Sequence, residues 1–316
     1  MAEPLDNSRA ALLMVVSMAL FTLEDGIIKW ATTDLPVGQI LLMLGGIGTA
    51  VLWAYARLKG AAVFGRDLLL PGVMARNLAE IVGAVAFVTA LASNPLSLAS
   101  ALLQALPLVA TAGAALFLGE TVGWRRWAAI GVGLAGTLVI LRPGTEAFRP
   151  EALWVLLCVA ALTVRDLATR AAPARLTTPQ FATWGFAATA LAGALLLALD
   201  RGAPPVVPSA AAGLAMAAAA GFGIAGYSAL MVAVRGGDVA VVAPFRYARV
   251  VFGILLGMAA FGERPDGWML AGVALVVGSG LYTLARETRL RRRNAIAMQP
   301  AAGASPGPSP APPPPL

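Results

Sequence analysis

Histidine is absent from this sequence of 316 residues, and cysteine occurs once, at Cys158. Without an imidazole, most zinc sites and the commonest proton relay are excluded. A lone thiol inside an apolar run builds neither a disulfide framework nor a thiolate metal cluster. There is no GxxxxGK[ST] phosphate loop and no GxSxG nucleophile turn. The chain is therefore not expected to be an enzyme, and neither a cofactor nor a metal is expected. Charge is scarce as well: Asp, Glu, Lys and Arg make up 12% of the residues, against about 25% in soluble domains.

What fills the space is apolar. Hydrophobic residues account for 59% of the chain, in runs that reach the roughly 20 residues needed to cross a bilayer. The runs predict ten helices, near 10–30, 36–57, 71–92, 96–118, 125–142, 151–171, 178–199, 208–234, 238–261 and 267–285. They carry no alternating period, so a closed barrel is excluded. The N-terminal residues include Glu3 and Asp6, which disfavours a cleavable signal.

The net charge of +7 is distributed by side of the membrane and does not indicate nucleic acid. With a cytoplasmic N-terminus, the loops on that side hold Arg9, Arg57, Lys59, Arg66, Arg76, Arg125, Arg126, Arg170, Arg175 and Arg235, and the tail adds "RETRLRRR" (286–293). The other side holds Lys29, Arg142, Arg149, Arg201 and Arg264. The positive-inside rule thus places both termini in the cytoplasm. The Pro-rich end of the chain has nothing to bury and is expected to be disordered.

The chain is also written twice. "FLGETVGW" (117–124) recurs as "AFGERPDGW" (260–268), with Glu120 and Glu263 143 residues apart; Thr22/Thr163, Asp25/Asp166 and Lys29/Arg170 are 141 apart. Each copy holds five predicted helices. An odd number reverses the second copy across the membrane, which is the inverted-repeat plan of many secondary transporters.

The stretch "PLSLASALLQALPLVATAGAALFLGETVGWRRWAAIGVGLAGTLVILRPG" (95–144) resembles the end of an EamA domain of the drug/metabolite transporter superfamily. "VVAPFRYARVVFGILLGMAAFGERPDGWMLAGVALVVGSGLYTLARE" (241–287) matches the same element, and "LFTLEDGIIKW" and "LPVGQILLMLGG" resemble the first two helices. The resemblance implies an all-α membrane protein with the drug/metabolite transporter fold. Its layout would be a short N-terminal tail (1–9), a first repeat (10–144), a second repeat (150–287) and a basic, then Pro-rich cytoplasmic tail (288–316). It also implies transport of a small organic metabolite across a bacterial inner membrane.

The candidate site lies among charges inside the spans. "APFRYARVVFG" (243–253) places Arg246 and Arg249 three apart on one helical face. They sit about 12 and 16 Å from the end at Asp238, near the bilayer midplane. An intramembrane guanidinium costs about 2.5–3.5 kcal/mol even on the lenient insertion scale. Each must line a cavity or meet a carboxylate, with Glu24 and Glu80 as candidate partners and Arg76 competing for Glu80. A guanidinium in a cavity would hold a substrate carboxylate or phosphate, so Arg249→Gln is expected to fold and lose flux.

Asp25 with Lys29, and Asp166 with Arg170, are four apart and read as in-helix pairs that ease insertion. Glu24 and Arg165 hold equivalent positions with opposite sign, and a site role stands beside a structural one for each. Pro107 and Pro244 would loosen the fourth and ninth helices, and Gln104 is a candidate wall residue. Tyr247, Phe245, Tyr227 and Trp184 are candidates to stack on a ring-bearing substrate. Glu120 and Glu263 are read as caps of the next helix. Gly131, Gly133, Gly136, Gly272, Gly278 and Gly280 give small faces for helix packing or contact with a second copy.

The leading functional reading is a secondary transporter, with export favoured and a coupling proton or an exchange solute both compatible with it. Any proton relay would run through Glu24, Asp25, Glu80 or Asp166. Its partners would be a small-molecule substrate and the lipid bilayer. An importer or exchanger of a nucleoside-, riboflavin- or S-adenosylmethionine-like metabolite is the alternative. A non-transporting sensor or scaffold fits less well, since no sizeable soluble output domain is present.

Overall fold

Apolar helices packed side by side describe this chain. Its computed structural model describes residues 6–60, 63–120, 122–173, 175–199 and 204–298. The helices are α1 (Asn7–Ala31), α2 (Val37–Leu58), α3 (Pro71–Ser93), α4 (Leu96–Leu103), α5 (Leu106–Phe117), α6 (Trp124–Leu141), α7 (Leu153–Arg170), α8 (Thr178–Ala198), α9 (Ala210–Gly236), α10 (Val239–Val242), α11 (Ala248–Phe261) and α12 (Gly267–Met298). Short 3-10 turns occupy Arg66–Leu69, Pro150–Ala152 and Ala243–Tyr247. No strand occurs among the described residues.

Nine segments among the described residues are long and apolar enough to cross a membrane. The helix at the fifth expected span, α6, falls outside that set because its first turn carries Arg125 and Arg126. The basic "RETRLRRR" run continues the last helix, which extends to Met298. The Pro-rich end lies outside the described residues.

Two of the spans are broken. α4 ends after eight residues, and Ala105 N donates to Leu102 O (3.0 Å) across a tightened turn before α5 begins. Pro107 is the cause: it lacks an N–H, and its ring clashes with the carbonyl four residues back. In the ninth span, α10 gives way to the 3-10 turn containing Pro244 before α11 resumes. Gln104 Nε2 donates to the carbonyl of Arg246 (3.4 Å), joining the two breaks.

The packing is regular. α1 lies on α9, α2 on α8, α3 on α7, α6 on α12 and α4 on α11. Counting each broken span once, these are spans one with eight, two with seven, three with six, five with ten and four with nine. Exchanging each span for the one five places away returns the same set of pairs. Some of the lesser contacts obey the exchange too: α3·α8 mirrors α2·α9, and α5·α7 mirrors α1·α11, whereas α2·α3 and α1·α3 have no comparable counterpart.

Two of the closest approaches depend on glycine. A Cβ on Gly193 of α8 would lie 2.3 Å from Leu42 N and 2.4 Å from Gly38 O in α2, and one on Gly45 would lie 2.2 Å from Ala190 N. On the other flank, Gly136 of α6 and Gly272 of α12 each face the other's carbonyl, at 2.9 and 2.8 Å from the built Cβ. Small residues of this kind let membrane helices approach backbone to backbone. Gly131 and Gly278 face open space, so the small faces expected from sequence are only partly used within one copy.

The Gly193→Val substitution should force α2 and α8 apart and lower detergent-solubilised stability by at least the 1–3 kcal/mol typical of overpacking. Gly46→Ala, where nothing lies within 4 Å of the added carbon, should leave it unchanged. Thermal unfolding of the two variants beside the parent checks both.

Candidate functional site

The interior charges sort themselves into pairs across helices. Arg249 of α11 donates from Nη2 (2.7 Å) and Nε (3.3 Å) to Oδ2 of Asp25 in α1. Its guanidinium also lies over the Phe21 ring, 5.4 Å from the centroid. Asp25 is 2% exposed, so the aspartate is sealed between these helices. On the opposite side Arg165 of α7 donates to Asp166 Oδ1 from Nε (2.9 Å) and lies 2.8 Å from it through Nη2. Arg165 Nη1 also reaches Glu80 Oε1 of α3 at 3.5 Å. Glu80 in turn meets Arg76 at 3.3 Å, whose guanidinium lies 5.5 Å from the Phe181 ring centroid.

These contacts correct several expectations. The partner of Arg249 is Asp25 rather than Glu24 or Glu80. The in-helix pairs do not form: Asp25 turns to a buried guanidinium, which is worth more to it than an exposed neighbour four residues along. Lys29 instead extends past the end of α1 to the carbonyls of Leu91 (3.1 Å) and Asn94 (2.6 Å). Asp166 takes its neighbour Arg165, and Arg170 goes to Glu120 at 3.6 Å. Arg76 does compete for Glu80, as the sequence spacing suggested.

The aromatic candidates separate. Trp184 is 1% exposed, donates from Nε1 to Val63 O (2.9 Å) and meets Phe181 edge-on with centroids 5.7 Å apart. Tyr247 is buried with its hydroxyl against Gly280 of α12. Phe245, beside it, is 41% exposed. Gln104 is buried at the break and braces the Arg246 carbonyl. Glu263 caps a helix, but the helix is α4 rather than the one that follows: its carboxylate accepts from Leu96 N (2.5 Å) and Ser97 N (2.9 Å). The next helix is capped by Asp266, which accepts from Met269 N (2.8 Å) and pairs with Arg142. That hydrogen bond from Arg142 holds the Asp266 carboxyl below its ordinary range.

Two interior charges stand apart. Arg246 sits in the 3-10 turn beside α1 and α12, exposed, and makes no ion pair among the described residues. Glu24 is half-buried, its carboxylate lying against Gly223 of α9, where an added Cβ would be 2.5 Å from Oε1. It too makes no hydrogen bond or ion pair among the described residues. The counterparts of Arg246 and Arg249, taken 143 residues earlier, are Leu103 and Leu106. The arginine stretch is therefore confined to one half of an otherwise repeated chain. Sequence reasoning did not single out Phe21 or Gly223; Phe21 could have been found as the residue one helical turn before Asp25.

Chemically, the arrangement offers a free guanidinium beside an exposed ring at a break in a transmembrane span. It can take a planar oxyanion in a forked hydrogen bond and an aromatic or apolar body against the ring.

Comparison with known proteins agrees with this architecture. Residues 149–285 match the EamA-like transporter family. A riboflavin transporter of Rhizobium johnstonii is 29% identical over 93% of this chain and 96% of its own length. A pseudopaline exporter of Pseudomonas aeruginosa is 26% identical over 84% of this chain and 92% of its own. A crystal structure 25% identical in sequence superposes with a TM-score of 0.62, covering 87% of this chain and 97% of that one. Multiple apolar helices, the packing between them and these likenesses converge: the chain is a multi-pass membrane protein whose second half, residues 149–285, matches the EamA-like transporter family.

Proposed function

We propose that this protein is a secondary transporter that moves a small organic metabolite bearing a carboxylate or phosphate out of the cell by alternating access. In this reading ten helices cross the bacterial inner membrane as two inverted repeats of five, with both termini cytoplasmic. The closure of the helix pairs under exchange of spans five apart supports the repeat. The concentration of Arg and Lys on one side supports the orientation. A relative named as a pseudopaline exporter supports the direction.

The observation that carries the substrate class is Arg246, an exposed guanidinium in a span with no ion-pair partner among the described residues. It holds the substrate anion, and Phe245 supports the rest of the molecule. Asp25–Arg249 and the Arg76–Glu80–Arg165–Asp166 chain fix the walls. Gln104, Pro107 and Pro244 place the two helix breaks where the halves meet, which gives the walls a place to bend. Glu24 is the carboxylate available to a coupling proton or to a cationic part of an exchanged solute. Gly131 and Gly278, facing outward, suit contact with lipid or a second copy.

Untargeted metabolite profiling of cells and medium tests this. Cells expressing the parent should accumulate an acidic metabolite in the medium that empty-vector cells retain. Arg246→Gln should insert at the parent level and lose at least about tenfold in flux, the scale of one charge-assisted contact. Parent-level flux from Arg246→Gln would overturn the site, and accumulation inside the cells would overturn the direction.

The Arg249→Gln variant, expected from sequence to fold, should instead lose about 3–5 kcal/mol, because Asp25 is left as an uncompensated buried charge. Adding Asp25→Asn should restore most of that stability. The yield and thermal midpoint of the purified single and double variants measure the difference.

A further inference from the structure

Lys29 closes α1 and Arg170 closes α7, 141 residues later in the second copy. Although equivalent, they are used differently. Lys29 Nζ binds the carbonyls of Leu91 and Asn94, the last turn and cap of α3. It also lies 5.4 Å from the centroid of the Phe261 ring at the end of α11. Glu263 stands beside it, tying the loop after α11 to the start of α4. Asn94 Nδ2 extends the tie to the carbonyl of Glu151 (3.0 Å) before α7. This end of the bundle is bolted through backbone atoms of several helices.

At the other end the equivalent parts are undone. Arg170 and Glu120, the counterparts of Lys29 and Glu263, are 57% and 49% exposed in their side chains and meet only each other, at 3.6 Å, among the described residues. The carbonyls that correspond to Leu91 and Asn94, 143 residues on, are those of Val234 and Gly237 at the last turn and cap of α9. No described side chain is bonded to them. A cation at a helix C-terminus meets unpaired carbonyls and the negative end of the helix dipole, so either seat is favourable for the charge.

We propose that Lys29 and Arg170 are bolts used one at a time: Lys29 shuts its end in this conformation, and in the opposite one Arg170 leaves Glu120 and shuts the other end on the Val234 and Gly237 carbonyls. This inference rests on the inverted-repeat, alternating-access reading above. Equal and opposite bolts keep the two states close in energy, as a transporter cycling between them needs.

A reporter cysteine tests the idea. Phe245→Cys, in a Cys158→Ser background, is labelled with a membrane-impermeant maleimide applied to either face of oriented vesicles. In the parent background, labelling should be fast from the Arg170 side. Adding Lys29→Met should raise labelling from the Lys29 side by about tenfold, the change expected when one charge-assisted contact leaves one of two states. Lys29→Arg should largely reverse that, and Arg170→Met should lower labelling from the Lys29 side. Unchanged labelling from both faces in Lys29→Met and in Arg170→Met would overturn the bolts while leaving alternating access in place. Rapid labelling from both faces at once in the parent background would instead overturn alternating access itself.

Discussion

An ionised side chain within an apolar slab must find its counter-charge inside the protein, and most of this structure follows from that requirement. Asp25 needs Arg249, so α1 must lie against α11. Glu80 must serve both Arg76 and Arg165, so α3 must lie against α7. Lys29 satisfies itself on carbonyls that α3 leaves open at its end. Asp25–Arg249 and Glu80–Arg165 join the first half of the chain to the second, and Lys29 ties one end of the bundle together. Removing one member leaves the other buried and unpaired, which costs more than the pair contributed.

The same requirement marks out what is free to act. Arg246 and Glu24 escape pairing among the described residues: Arg246 lies in the 3-10 turn at Pro244, and the Glu24 carboxylate lies against the smooth face of α9 at Gly223. With Asp25, Glu80 and Asp166 already neutralising their arginines, Arg246 in the proposed function would confront an incoming anion as one uncompensated charge rather than part of a strongly positive cluster. That suits a substrate which must bind and also leave. The flanks, by contrast, are built for rigidity: α2 on α8 and α6 on α12 approach through glycine contacts that tolerate no side chain.

Much of this was legible in the chain. Run length located the helices, and Pro107 and Pro244 marked both breaks, because a missing N–H and a steric clash act locally whatever surrounds them. The positions of the interior charges were equally plain, but their partners were not. Spacing of four residues suggested Asp25 with Lys29, yet tertiary contact offered Asp25 a buried guanidinium and Lys29 a set of carbonyls. Glu24 and Asp25 are neighbours about 100° apart around a helix, and nothing local says which of them faces α11. Residue type did not distinguish the buried rings of Trp184 and Tyr247 from the exposed ring of Phe245. Glu263 was recognisable as a cap, but the helix it caps is 167 residues away in sequence.

The central claim is that Arg246 stands in a water-filled cavity that receives an anion. The most direct measurement is the reaction rate of Arg246→Cys, in a Cys158→Ser background, with a small cationic thiosulfonate reagent added to membranes. The account predicts fast modification that slows when the transported acidic metabolite is present, and partial recovery of flux once the positive charge is restored. A thiol that stays unreactive from both sides of the membrane would show that this position is sealed in protein or lipid, and would contradict the account.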